Sequence, residues 1–168
     1  MNAEQLMGLK VVGAEDGTTI GTVKGLLISQ DEKSLVALEV GGGILSQSLF
    51  VPFENVKSVE HDVVMVPSSE SLVDRQNIPT EGLMGSLTKR KVFTEDGKNL
   101  GTVHGYSIDP QTGKISALTL AVDKEVLGGL WRSAGDSYDI PGELIKTLGD
   151  NIVVDESVPE RTGMSKAA

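Results

Sequence analysis

The chain has 168 residues, no cysteine, 4% aromatic residues and a formal net charge of −9. The missing thiols exclude a disulfide framework and cysteine chemistry and fit a reducing compartment. The acidic balance, with 5 basic against 11 acidic groups in residues 1–80 and 10 against 13 in residues 81–168, argues against direct binding to nucleic acid or an anionic lipid surface.

The opening Met1-Asn2-Ala3-Glu4-Gln5 has neither a basic leader nor an apolar run. No later stretch approaches the roughly 20 apolar residues of a membrane span, so a soluble cytoplasmic protein without a transmembrane segment is expected. The first strong signal is the turn Asp16-Gly17, which returns as Asp96-Gly97; both read as hairpins. After each turn comes a strand, Ile20-Gly21-Thr22-Val23-Lys24-Gly25 and Leu100-Gly101-Thr102-Val103-His104-Gly105. Its apolar residues lie three apart. A bulge at Gly21 or Gly101 would restore them to one face, and Gly25 or Gly105 permits a second bend.

The offset of 80 runs on through Leu35-Val36-Ala37-Leu38 and Ile115-Ser116-Ala117-Leu118, so the fold itself is duplicated. Alternation in the third run puts Leu38 and Val40 inside and Glu39 in solvent. Gly41-Gly42-Gly43 follows a strand and lacks the helix and lysine of a phosphate loop, so it reads as a flexible connection. Pro52 matches Pro141, an offset of 89. The second half therefore gains nine residues between Ala121 and Tyr138, a segment that holds the only tryptophan.

Continuing at the same offset, Val63 pairs with Ile152 and Met65 with Val154, which predicts a buried Val63 and Met65 face. Residues 68–82 read as a linker with one short helix capped by Ser69, and residues 158–168 as a flexible C-terminal tail.

The ordered set of Leu6-Met7-Gly8 (again Leu83-Met84-Gly85), the Asp-Gly turn, the Gly-Thr-Val strand, the Val51-Pro52 or Ile140-Pro141 step and a closing apolar strand resembles the PRC-barrel family. The resemblance covers nearly the whole chain twice. It implies an all-β chain of two small PRC-type β-barrels in tandem, residues 5–67 and 83–157, joined by a short, partly helical linker at 68–82. It also implies a binding module in place of an enzyme.

Searching the residues for chemistry points the same way. His61 and His104 occupy different positions in the repeat, too few for a zinc site, and neither has a serine or carboxylate partner in a motif. Asp109-Pro110-Gln111-Thr112-Gly113, Glu15-Asp16 and Glu95-Asp96 are turns without the alternating oxygens of a calcium loop. No catalytic, metal or cofactor residue is therefore expected.

The candidate interface is Ile44 and Leu45 in the first half and Leu127, Leu130, Trp131 and Arg132 in the second, because tryptophan and arginine are enriched at interface hot spots. Trp131 also reads as a plug over its own barrel. The expected function is a protein–protein adaptor, its partner unknown, that self-associates as a homo-oligomer, most simply a dimer. Other readings are a ribosome-maturation or RNA-processing accessory acting through a ribosomal protein, an accessory subunit of a membrane redox complex, and a small-ligand binder or enzyme.

Overall fold

The computed structural model describes residues 1–78, 82–121 and 137–161. Contacts divide the chain into two compact units, Met1–Ser86 with Ile108–Lys114, and Leu87–Ser107 with Ile115–Ala168. Each holds one all-β sheet of barrel type.

The first sheet runs β1 (Lys10–Gly13), β2 (Thr19–Ser29), β3 (Ser34–Gly41), β4 (Leu49–Pro52), β5 (Ser58–Val59) and β6 (Val63–Val66), ordered β4-β3-β2-β1-β6-β5. A short β7 (Leu83–Met84) pairs with the end of β2. The second sheet repeats the order with β8 (Lys91–Thr94), β9 (Asn99–Ile108), β10 (Ile115–Ala121), β11 (Ser137–Pro141), β12 (Ile145–Leu148) and β13 (Ile152–Val154), as β11-β10-β9-β8-β13-β12. In both, a four-strand antiparallel meander is followed by a hairpin whose second strand, β6 or β13, lies parallel to the first strand of the meander. Short helices α1 (Ala3–Leu6) and α2 (Val158–Arg161) precede the first sheet and follow the second.

The cores are aliphatic. Val11, Ile20, Val23, Ile28, Leu38, Val40, Val51 and Val64 are buried in the first unit; Val92, Leu100, Val103, Leu118, Leu120, Ile140 and Ile152 are buried in the second. Ile20 and Val23 share the interior although three residues apart, because the β1 to β2 register skips Ile20: Val11 faces Gly21 and Val12 faces Thr19. Likewise Val92 faces Gly101 and Phe93 faces Asn99, skipping Leu100. A second shift, with Val23 opposite Val40 and Gly25 opposite Glu39, absorbs Lys24. An extra residue that joins no pair bends the strand and sharpens its twist.

The structure corrects the expected placement of residues in three places. Val64 and Val66 are the fully buried residues of β6, and Val63 and Met65 are only half-buried. The parallel ladder sets Val11 against Val64 and Val92 against Ile152, so Ile152 corresponds to Val64 and not to Val63. The β5 to β6 turn is one residue longer in the first copy, and a slip of one residue inverts the face of a strand.

Second, Leu83-Met84-Gly85 is not the counterpart of Leu6-Met7-Gly8. Gly8 N–H donates to Val23 O and Lys89 N–H to Val103 O, so Leu87-Thr88-Lys89 takes that place, while Leu83 and Met84 form β7. Leu6 and Leu87 are both buried, and Lys89 adopts the left-handed φ of 73° where Gly8 has 84°. Third, Glu39 is half-buried, because residues 72–78 and 83–84 pack beside its face.

That segment packs closely on the first sheet. Ser68, rather than Ser69, caps a 3-10 turn over Ser69–Ser71: its hydroxyl accepts from Glu70 N–H, and the Ser71 hydroxyl accepts from Ser68 N–H. The chain then runs as a strap along β4, where Phe50 and Val73 exchange both backbone hydrogen bonds at 2.8 and 2.7 Å. Ala37, Phe50 and Ile78 form a second apolar cluster, joined by Leu27, Val36, Val73 and Leu83. The Arg75 guanidinium lies 5.7 Å from the Phe50 ring centroid. β3 is consequently buried on both faces, whereas β10 alternates.

The equivalent positions of the second sheet are Ser107 for Leu27, Ser116 for Val36 and Asp139 for Phe50, with Thr119 opposite Asp139 as Glu39 is opposite Phe50. Apolar residues on both faces of one copy and polar residues at the same places in the other are a sequence signal for a covered outer face. At the far end of the chain, Val158 is fully buried at the start of α2.

Candidate functional site

The first candidate loop leaves β3 at Gly41 and is held tightly. Ile44 N–H donates to Ile20 O at 3.1 Å and Leu45 N–H to Gly42 O at 3.0 Å. Gly43 sits at φ 58°, and a Cβ there would lie 2.4 Å from Ile20 O and 2.9 Å from Gly21 Cα. A Cβ on Gly21 would in turn lie 2.7 Å from Gly41 O. The hydrogen bonds and the close backbone approach lay the loop against the bulged stretch of β2. Its tip is Ile44, 63% exposed, with Leu45 half-buried beside it.

An exposed isoleucine on a stiff support loses little conformational entropy on docking, which is what makes an apolar anchor effective. Leu127, Leu130, Trp131 and Arg132 lie outside the described residues. Among the described residues Met7 is the other large hydrophobic side chain found exposed, at 46%.

The paired turns use different chemistry for the same bend. In the first, Thr18 N–H donates to Asp16 Oδ1 at 3.0 Å and Gly17 takes φ 70°. In the second, the buried Thr94 hydroxyl donates to Asp96 Oδ1 and accepts from Lys98 N–H at 2.9 Å, and Gly97 takes φ 91°. Gly25 and Gly105 also differ. A Cβ on Gly25 would meet Glu39 Oε2 at 2.9 Å, the mobile end of a side chain, whereas Gly105 has nothing within 4 Å. In the turn Ile108–Lys114, part of the first unit, Gln111 N–H donates to Asp109 Oδ1 at 2.8 Å, Gly113 has φ 78°, and its carbonyl accepts from Leu35 N–H at 2.7 Å. Lys33, the repeat equivalent of Gly113, adopts φ 53°.

His61 and His104 are exposed in separate units. Among the described residues no group of three or more His, Cys, Asp or Glu converges as a metal site, and no helix is long and apolar enough to cross a membrane.

Two carboxyls, the exposed Asp16 and the half-buried Asp155, are held below the ordinary value of 3.8: Asp16 mainly by the Thr18 N–H, and Asp155 first by the Ser157 hydroxyl, then by the Ser157 N–H and Lys146. A depressed folded-state value means stabilisation that is present above the unfolded value and lost as pH falls through the folded one. Carboxyl-carbon NMR titration is expected to place both midpoints below 3.8. A Ser157→Ala variant should return Asp155, but not Asp16, toward that value.

No curated protein matches the chain. A family model for the PRC-barrel domain matches residues 1–73 and again 83–158, and PRC-barrel domains are known as protein-interaction modules. Two sheets of one strand order, each closing its last strand against its first, are thus two copies of one domain, and the chain belongs to the PRC-barrel family.

Proposed function

We propose that the chain is a non-catalytic, cytoplasmic protein–protein interaction module that self-associates, as a dimer, through the loops and faces of its barrels. The observation that carries this reading is Ile44, a large aliphatic side chain left 63% exposed on a loop with no slack. Apolar anchors with a polar rim are the usual composition of an interface, and the exposed Ser46, Gln47 and Ser48 follow Ile44 in the same loop. Trp131 and Arg132 extend the same proposal to the second copy, where their residue types match interface hot spots.

Sedimentation velocity over a concentration series tests it. The parent chain should dimerise, and Ile44→Glu should weaken dimerisation by about thirtyfold, the loss of one hot spot of about 2 kcal/mol. Trp131→Ala should weaken association while leaving the melting transition in place. A parent chain that stays monomeric at every concentration, or an Ile44→Glu chain that associates unchanged, would overturn the proposal.

A further inference from the structure

Between Asn77 and Ile78 of the strap and the 3-10 turn that follows β4 lies a cleft of about 400 Å³ within the first unit. Three groups make it unusual for a crevice between loops. Val36, Phe53 and Ile78 give it an apolar wall. Ser34 lines it while only 7% exposed, and its hydroxyl has no hydrogen-bond partner among the described residues. Glu32 and Glu54 stand exposed at its rim, neither in an ion pair among the described residues. Lys33 and Lys114, their neighbours in the chain and across the Ser34 bridge, neutralise neither carboxylate by direct contact.

A buried hydroxyl without a partner is a cost that an incoming donor recovers. Two unpaired carboxylates over an apolar wall select a cation with a hydrocarbon stem. The outer face of the same sheet already holds such a group, since Arg75 lies over Phe50.

We propose that this cleft docks an arginine side chain from an extended segment of a partner protein. The stem lies on Val36 and Ile78, the guanidinium plane faces Phe53, and its N–H groups donate to Ser34 Oγ and to the Glu32 and Glu54 carboxylates. Arginine is favoured over lysine because its planar fork offers five donors and stacks on aromatic rings. The inference rests on the interaction-module reading and gives it a partner chemistry, at a surface separate from Ile44.

The test is an NMR titration of the full isotope-labelled chain with the peptide acetyl-Ala-Val-Arg-Val-Ala-amide, alongside the same peptide with glutamine in place of arginine. Saturable shifts are expected at Ser34, Val36, Phe53 and Ile78. The glutamine peptide should bind about tenfold more weakly, since charge-assisted hydrogen bonds are lost. The chain with Glu32→Gln and Glu54→Gln together should bind the arginine peptide about fivefold more weakly, a loss fitting exposed ion pairs, with its own spectrum otherwise preserved. Equal binding of both peptides, shifts confined to the Ile44 loop, or no saturable shift would overturn the proposal. Repeating the titration on Ile44→Glu separates the two readings: unchanged peptide binding with self-association lost leaves the cleft assignment standing, and unchanged self-association with peptide binding lost places the peptide at Ile44 and overturns it.

Discussion

Phe50→Ala is expected to lower the unfolding free energy by about 3 kcal/mol, the cost of deleting a buried aromatic ring, whereas Asp139→Ala, at the equivalent place in the second copy, should change it by less than about 0.5 kcal/mol. Phe50 is 7% exposed at the centre of the outer cluster, where Ile78 and Val73 of the strap pack on it. Removing the ring also removes the surface over which Arg75 lies. Asp139 is exposed, and its one described side-chain bond, accepted from the Thr119 hydroxyl at 2.7 Å, is solvent-facing and replaceable by water. Urea unfolding of both variants against the parent chain measures the difference. Equal losses would mean that the strap contributes nothing to the first unit.

Gly142→Ala should be nearly as damaging, about 3 kcal/mol or more, although it adds a single methyl group. A Cβ on Gly142 would stand 2.0 Å from Ile115 O and 3.0 Å from Ile115 C, so backbone would have to move, and overpacking against backbone cannot be relieved by a rotamer change. The residue in the same place in the first copy is Phe53, in a 3-10 turn whose flanking prolines have nearly identical angles, φ −55° and ψ 139° at Pro52 against φ −56° and ψ 139° at Pro141. Phe53→Ala should therefore cost less than Gly142→Ala, reversing the usual order of the two substitutions. Thermal melts of Phe50→Ala, Phe53→Ala, Gly142→Ala and the parent chain under one condition test the ranking. A Gly142→Ala chain that melts with the parent would show that the turn after β11 can lift away from β10.

The duplication, the strand content and the family were legible because a repeat filters noise: a residue type found twice at one spacing reports the fold. Direct comparison placed Leu38 with Leu118 and Pro52 with Pro141, and the ladders agree: Leu38 faces Val51 as Leu118 faces Ile140, and Ala37 faces Pro52 as Ala117 faces Pro141. It failed where the copies differ by one residue in a turn, as between β5 and β6. There the hydrophobic run Val63-Val64-Met65-Val66 carries no alternation to fix its face, and only the pairing with β1 does. It failed again at Leu-Met-Gly, where identical letters outweighed the backbone bonds that make Lys89 the partner of Gly8.

The covered outer face was present in the sequence as a contrast between copies, Leu27 against Ser107, Val36 against Ser116, Phe50 against Asp139. A search for what the copies share passes over it. The cleft at Ser34 was not legible at all, because a serine at the start of a strand reveals neither its burial nor its missing partner.

The strap also bears on how the two copies can change over time. They have ceased to be exchangeable: the first sheet needs residues that follow it in the chain to cover Ala37 and Phe50, and the second presents serines and an aspartate at the same places. A rearrangement that repeated the second copy alone would place an apolar strap beside a hydrophilic wall, and one that repeated the first without residues 72–84 would leave an uncovered greasy face. Duplication made the halves alike; the strap has since given each a fixed position in the order, so recombination between them is no longer neutral.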